Sequence, residues 1–262
     1  MPSADSSPAV TTSGVNLDVL GTPLQCTSYE RLIEFCQWRC RQPAPYAIDF
    51  SNTHIVTMRR HEPPFREITS RFDCFVPDAM PLIWVLNARG AGLRDRVYGP
   101  TFMRRCILEL RSPATHYFLG GSPECLEKLK AFFLGADPTL QIIGARHGYF
   151  SEGEEAEIVA EVNRLSPDFV WIGLGTPKQQ AFIHRHKSSF QRGLLLAVGF
   201  AFDVNAGTKK DAPAWMQRAG LTWLYRFLEE PSRLGPRYLK YNSLFLIYLA
   251  LDAISGRARR AR

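Results

Sequence analysis

The 262-residue sequence predicts an α/β fold, Rossmann-like, with a mostly parallel sheet flanked by helices and followed by a helical appendage. Three observations predict it. Residues 169–174 (FVWIGL) and 194–198 (LLLAV) are almost wholly apolar, as strands covered on both faces are. Segments of helical period with capping residues at their starts alternate with such runs. Beyond Pro213 strand-like runs cease, and an aromatic, basic and helical pattern replaces them.

Along the chain, residues 1–20 are expected to form a loose tail, because the Ser, Pro and Thr content at its start buries little surface. The sheet domain is expected over 21–212. Its first strands are 47–50 and 74–76, followed at once by polar residues: Ser51 and Asn52 after one, Asp78 after the other. Ligands of open α/β sheets collect at such carboxyl ends. Residues 115–119 (THYFL) form the next strand and end in Gly120-Gly121. Ser122 then reads as an N-cap and Pro123 as the first residue of the helix carrying CLEKLKAFFLG. Residues 140–143 are a short strand, and 151–165 an amphipathic helix with acids at its start, where the helix dipole favours them.

The appendage is expected over 213–262, broken at Pro231 and Pro236. Its apolar run, 238–254, contains Lys240, Asn242 and Asp252 and falls short of a membrane span, which needs about 20 predominantly apolar residues. Two readings stay open: a helix lying on a membrane, or Leu244, Phe245, Leu246 and Tyr248 packing onto the core.

Composition narrows the function. A hydrophobic content of 45% fills a real core and excludes global disorder. Six cysteines without a C-x-x-C pair, and a start lacking a basic and then apolar leader, point to reduced thiols in the cytoplasm. Of the formal net charge of +7, residues 226–262 alone supply +5, which attracts phosphate on nucleic acid, lipid head groups or a pyrophosphate substrate.

Several chemistries lack their residues. His184 and His186 are two apart on a helical segment, so their rings diverge and no metal site is expected. Gly173-Leu-Gly175 and Gly120-Gly121 are incomplete as dinucleotide or P-loop fingerprints, there is no G-x-S-x-G, and no Asp-x-Asp holds a divalent ion. A diphosphate would be bound by amides and arginines.

The stretch PDFVWIGLGTPKQQAFI, the later AVGFAFDVNAGTKKDAPAWMQRAGLTWLYRFLEEPSRLGPRY, and upstream Asn52 in SNTHIV, Asp78 in VPDAMPLIW and Arg96 with Gly99 in DRVYGPTF follow one another in a fixed order. Together, over residues 49–238, they strongly resemble the WecG/TagA/CpsF family, glycosyltransferase family 26. The resemblance implies inverting, metal-independent and cofactor-free transfer of a hexose or N-acetylhexosamine from a UDP-sugar to a polyprenyl-diphosphate-linked sugar. It implies a peripheral place on the inner face of the bacterial cytoplasmic membrane. Asp78 matches the general base, and Asn52 and Gln179 match substrate-binding residues. Gly120, Gly121, Gly173, Gly175 and Pro177 are expected to let the backbone approach the nucleotide. Arg226 and Arg233 match arginines that meet diphosphate groups, and Arg237 is expected to join them.

Departures from the family pattern are Ala79 after the aspartate, Gln180 for Glu, Phe200 for Gly, Asp211 for Arg, Thr222 for Glu, and Pro236 for a basic residue. They bear on donor identity and tilt the expectation slightly toward glucose, with N-acetylmannosamine next. The expected partners are the donor, the lipid-linked acceptor and an anionic membrane surface, with no nucleic acid; exposed appendage aromatics allow a weak homo-oligomer. Two rivals remain at this point: a non-enzymatic basic protein holding nucleic acid or anionic lipid, and a nicotinamide-dependent dehydrogenase without its fingerprint.

Overall fold

The computed structural model describes residues 15–110 and 113–255. In chain order these form β1 (Asn16–Val19), β2 (Thr22–Gln25), α1 (Tyr29–Arg39), β3 (Tyr46–Ser51), α2 (Thr53–His61), α3 (Pro63–Ile68), β4 (Cys74–Pro77), α4 (Met80–Ala88), α5 (Gly99–Glu109) and β5 (Thr115–Gly120). There follow α6 (Pro123–Ala136), β6 (Gln141–Arg146), α7 (Glu155–Leu165), β7 (Phe169–Gly173), α8 (Lys178–His186), β8 (Leu194–Ala197), α9 (Ala201–Asn205), α10 (Ala214–Arg218), α11 (Thr222–Glu229) and α12 (Pro231–Ile254).

The strands make one sheet in the order β1-β2-β4-β3-β8-β7-β5-β6. Only β1 and β2 pair antiparallel, and every other pair is parallel. Alternate residues of each strand enter cores on opposite faces, which is why the runs are apolar throughout. Ile48, Phe50, Val76, Phe118, Trp171 and Leu196 pack with α1, α5 and α6 on one side. Ala47, Phe75, Leu119, Val170, Ile172 and Leu195 pack with α4, α7 and α8 on the other. The expected cap at Ser122 forms, its hydroxyl accepting from the Cys125 N–H, and Ser151 with Glu154 adds a reciprocal capping box that the residues were not read for.

Three expectations are corrected. Residues 16–19, assigned to the loose tail, form strand β1, because the Leu20-Gly21 turn has both φ angles positive and folds the chain back onto β2. Residues 1–14 lie outside the described region. Pro236 does not break the appendage: it sits in the second turn of α12, where it removes one hydrogen bond from a helix held by its flank. Pro231 starts that helix rather than interrupting one.

α12 lies along α2. Tyr241 packs beside Ile55, Met58 and Phe65, Phe245 is buried in the second core, the Tyr248 hydroxyl meets His61 Nδ1 at 2.7 Å, and Arg60 reaches Asp252 at 3.5 Å. Its opposite side carries Leu239, Leu246, Ile247, Leu251 and Ile254, exposed by 75, 66, 51, 52 and 84%. The two readings of 238–254 therefore divide the helix between them: one flank packs onto the core and the other is bare and apolar. Among the described residues no helix is long and apolar enough to cross a membrane. The basic tail 256–262 lies outside the described region.

Candidate active site

β4, β3, β8 and β7 are neighbours in the sheet, so the segments that follow them gather over its carboxyl edge. A cleft of about 330 Å³ opens there. It is lined by Asn52 and His54 after β3, Asp78 after β4, Gly173 at the end of β7 with Gly175 and Gln179 beyond it, and Gly199 and Phe200 after β8. α11 and α12 close it from outside with Thr222, Trp223, Arg226, Arg237 and Tyr238.

Asp78 is not the cap of the following helix. That cap is Ala79, which has no side chain to serve, and the Asp78 Oδ1 instead accepts from the Gly99 N–H at 2.9 Å, at the first residue of α5. Its second oxygen makes no hydrogen bond among the described residues. Burial lifts the carboxyl to about 7, against the lowering effects of Arg96 and of the Gly99 N–H. A carboxylate with one free oxygen and a pKa near neutrality can accept a proton from a hydroxyl.

Arg96 stands behind it, donating to the Asp78 carbonyl at 3.4 Å, to Gln217 Oε1 at 3.2 Å and to Thr222 Oγ1 at 3.4 Å, with its guanidinium 4.1 Å from the Tyr98 ring centroid. Asp211 anchors this group by accepting from the Tyr98 hydroxyl at 2.8 Å and from Gln217 Nε2 at 3.1 Å.

Gln179 is 3% exposed, yet its Oε1 has no partner. Gly199, at φ 51°, lies against that amide, and a Cβ there would stand 3.4 Å from Oε1. A buried acceptor left open on a cleft wall suits a ligand donor. Asn52 caps α2 through its Oδ1, which accepts from the Ile55 N–H at 3.1 Å; its Nδ2 makes no hydrogen bond among the described residues. One end of the Asn52 amide thus caps the helix while the other is left toward the cleft.

Arg226 and Arg237 reach the cleft from α11 and α12. Arg226 lies over the Phe200 ring, 3.8 Å from its centroid. Arg237 meets His54 Nδ1 at 2.6 Å. Burial, then Arg237 and Lys240, hold the His54 imidazole down to about 3, so it is neutral and accepts. Arg233 lies in α12, and its side chain is outside the described ones.

The structure thus brings Asn52, Asp78, Gly173, Gly175, Gln179, Arg226 and Arg237 onto one cleft and leaves Gly120, Gly121 and Pro177 off its wall. The first two serve packing: a Cβ on Gly120 would strike the Gly173 backbone at 2.4 Å, and one on Gly121 would crowd Cys125 at 3.1 Å. Pro177 is the N-cap of α8. Gln180, counted above among changes that reshape the pocket, is turned away, its Nε2 donating to the buried Asp49 Oδ2 at 2.8 Å. Sequence reading missed His54, Asp203, Lys209 and Trp223, which also line the cleft, and gave Arg96 no role. For His54 a signal existed: it sits in the first turn after a strand's carboxyl end.

Over 188 residues, 70% of this chain and 71% of the relative, the chain is 27% identical to an N-acetylglucosaminyldiphosphoundecaprenol N-acetyl-beta-D-mannosaminyltransferase of Bacillus spizizenii. Over 237 residues, 89% of this chain and 92% of the relative, it is 24% identical to a protein of the same description from Staphylococcus aureus. The model of the Glycosyl transferase WecG/TagA/CpsF family matches residues 17–259, and the chain belongs to that glycosyltransferase family.

Proposed function

We propose that this chain transfers an N-acetylhexosamine, N-acetylmannosamine foremost, from a UDP-sugar to a sugar carried on a polyprenyl diphosphate. The named relatives act with that sugar on such an acceptor, and this displaces the slight preference for glucose. One basis of that preference has also gone, because Gln180 does not line the cleft. A nucleic-acid or lipid-binding protein without chemistry finds no support among the relatives.

The observation that carries the reading is Asp78, with one oxygen free and a pKa near neutrality, on a cleft that also holds Arg96, Arg226 and Arg237. In the reaction the acceptor hydroxyl attacks the anomeric carbon of the donor while its proton passes to Asp78. The bond from that carbon to the diphosphate oxygen breaks, and configuration inverts. Negative charge gathers on the departing diphosphate, where Arg226 and Arg237 stabilise it; Arg233 is assigned with them from the family match. Gln179 and Asn52 supply hydrogen bonds to the sugar, and Gly173 and Gly175 leave room for the nucleotide.

The bare flank of α12 is assigned to the membrane that carries the acceptor, as a helix lying in its surface on the inner face. Leu239, Leu246, Ile247, Leu251 and Ile254 would enter the acyl boundary.

The test is transfer of labelled sugar from UDP-N-acetylmannosamine, UDP-N-acetylglucosamine and UDP-glucose to a synthetic polyprenyl-diphosphate-linked N-acetylglucosamine. Transfer of N-acetylmannosamine ahead of the other two supports the reading in full. Transfer of glucose alone would retain the reaction class and overturn the donor, and no transfer with any of them would overturn the reaction.

A further inference from the structure

We propose that Phe200 is the positioning residue for Arg226, its ring acting as the seat that holds the guanidinium in the cleft before a diphosphate arrives. This rests on the reading of Arg226 as a diphosphate ligand.

Two carboxylates follow Arg226 closely in the chain, Glu229 three residues on in α11 and Glu230 at the C-cap of that helix. Arg226 pairs with neither. Among the described residues its guanidinium has no hydrogen bond or ion pair and lies over the Phe200 ring, 3.8 Å from the centroid and well within cation–π range. Glu230 is engaged by Lys209 at 2.8 Å instead.

Backbone packing does not explain where the guanidinium sits. α11 has no fully buried residue, so the direction of a long side chain on it is set by what that side chain touches. The seat is placed from the sheet: Phe200 stands three residues beyond the end of β8, after Gly199 has turned the chain at φ 51° against the Gln179 amide. The stacked pair also forms a wall, since Phe200 and Arg226 line both the cleft and an adjoining polar hollow that contains Glu229 and Glu230. Stacking occupies the face of a guanidinium and leaves its N–H edge free, so the arginine is presented to the cleft with its donors unspent. Without the ring, the nearest electrostatic alternative is the glutamate side of that wall.

The experiment measures UDP binding by calorimetry, and donor KM and kcat, for the native chain, Phe200→Leu, Phe200→Trp, Arg226→Ala and the double variant Phe200→Leu/Arg226→Ala. The expected result is UDP binding about fivefold weaker and kcat/KM for the donor lowered about fivefold in Phe200→Leu. Phe200→Trp is expected within twofold of native, and Phe200→Leu is expected to add nothing once Arg226 is gone. Native-like UDP binding by Phe200→Leu, a Phe200→Trp as weak as Phe200→Leu, or losses that add in the double variant would each overturn the proposal. If Arg226→Ala alone binds UDP and turns over as the native chain does, the diphosphate reading of Arg226 falls and the seat falls with it. That outcome is read in a protein whose Phe200 is intact, so the two failures are told apart.

Discussion

The neighbouring strands β3 and β4 each bring a carboxylate to the top of the sheet, and the two carboxylates live in opposite surroundings. On β3, Asp49 is fully buried, with Oδ1 accepting from the Ser51 hydroxyl at 2.5 Å and Oδ2 from Gln180 at 2.8 Å. Beyond β4, Asp78 has one oxygen on the Gly99 N–H and the other open to the cleft. Two adjacent residues of α8 repeat the contrast: Gln180 is tied to Asp49, and Gln179 lines the cleft with its Oε1 unpartnered. A polar side chain whose bonds are closed within the fold supports the fold. One left open at a cleft is available for chemistry, and its opening costs stability.

The largest effect expected from this contrast is on turnover. Asp78→Asn should lower kcat about 10²- to 10⁴-fold in the transfer assay, the range typical of a lost general base. In the native enzyme kcat/KM should climb with pH up to about 7, where the carboxyl releases its proton, and level off above. A flat profile between pH 5 and 8 would remove Asp78 from that role.

Next comes a loss of stability at the paired site. Asp49→Ala strands the Ser51 hydroxyl and the Gln180 amide in the core, and should cost about 2–4 kcal/mol in chemical denaturation. A loss below 1 kcal/mol would erase the contrast from the structural side.

The opposite sign is expected at Asp78. Burial raises its carboxyl, so between about pH 4 and 7 the native state keeps a proton that the unfolded chain has already released. Stability therefore falls as pH rises through that window, and the full loss is present above it. Asp78→Asn carries no such penalty, and should be more stable than the native chain by about 2 kcal/mol at pH 8 and by less at pH 5. Thermal melts at the two pH values decide this, and equal gains at both would contradict the assigned ionisation.

The smallest pair sharpens the comparison within one helical turn. Gln179→Ala should raise KM for a sugar substrate about tenfold with stability unchanged, and Gln180→Ala should lose about 1–2 kcal/mol of stability with KM unchanged. Swapped outcomes would show that the two amides had been assigned the wrong way round.

How much of this was legible from the residues follows from where the signal lay. The parallel strands announced themselves because burial on both faces leaves a run such as LLLAV with no polar position. β1 and β2 gave no such run: NLDV and TPLQ are four residues each, half polar, and owe their pairing to a turn and to Phe75 in the next strand. α4 was equally silent, since MPLIWVLNA is apolar almost throughout and carries no helical period. In the site, Asp78 was marked by its place after a strand, as were Asn52 and the glycines after β7. The ties between Gln180 and Asp49, and between Arg237 and His54, join residues far apart in the chain and leave no trace in local pattern. The glycine pair after β5 misled for a physical reason: a glycine needed for close strand packing and one needed for a ligand look alike in sequence.

α12 runs unbroken from Pro231 to Ile254, with Arg237 in the cleft near its start and bare apolar residues to its end. At about 1.5 Å per residue, the helix is a rod that fixes the spacing of these two regions. In a molecule seated on a bilayer by that flank, the rod acts as a ruler laid on the lipid: it sets how far along the surface the cleft lies from the last lipid-facing residues, and so where an acceptor must stand to bring its terminal hydroxyl to Asp78. Adding one residue between Tyr238 and Leu246 would turn the far flank by about 100° and lengthen that spacing by about 1.5 Å without touching a single cleft residue.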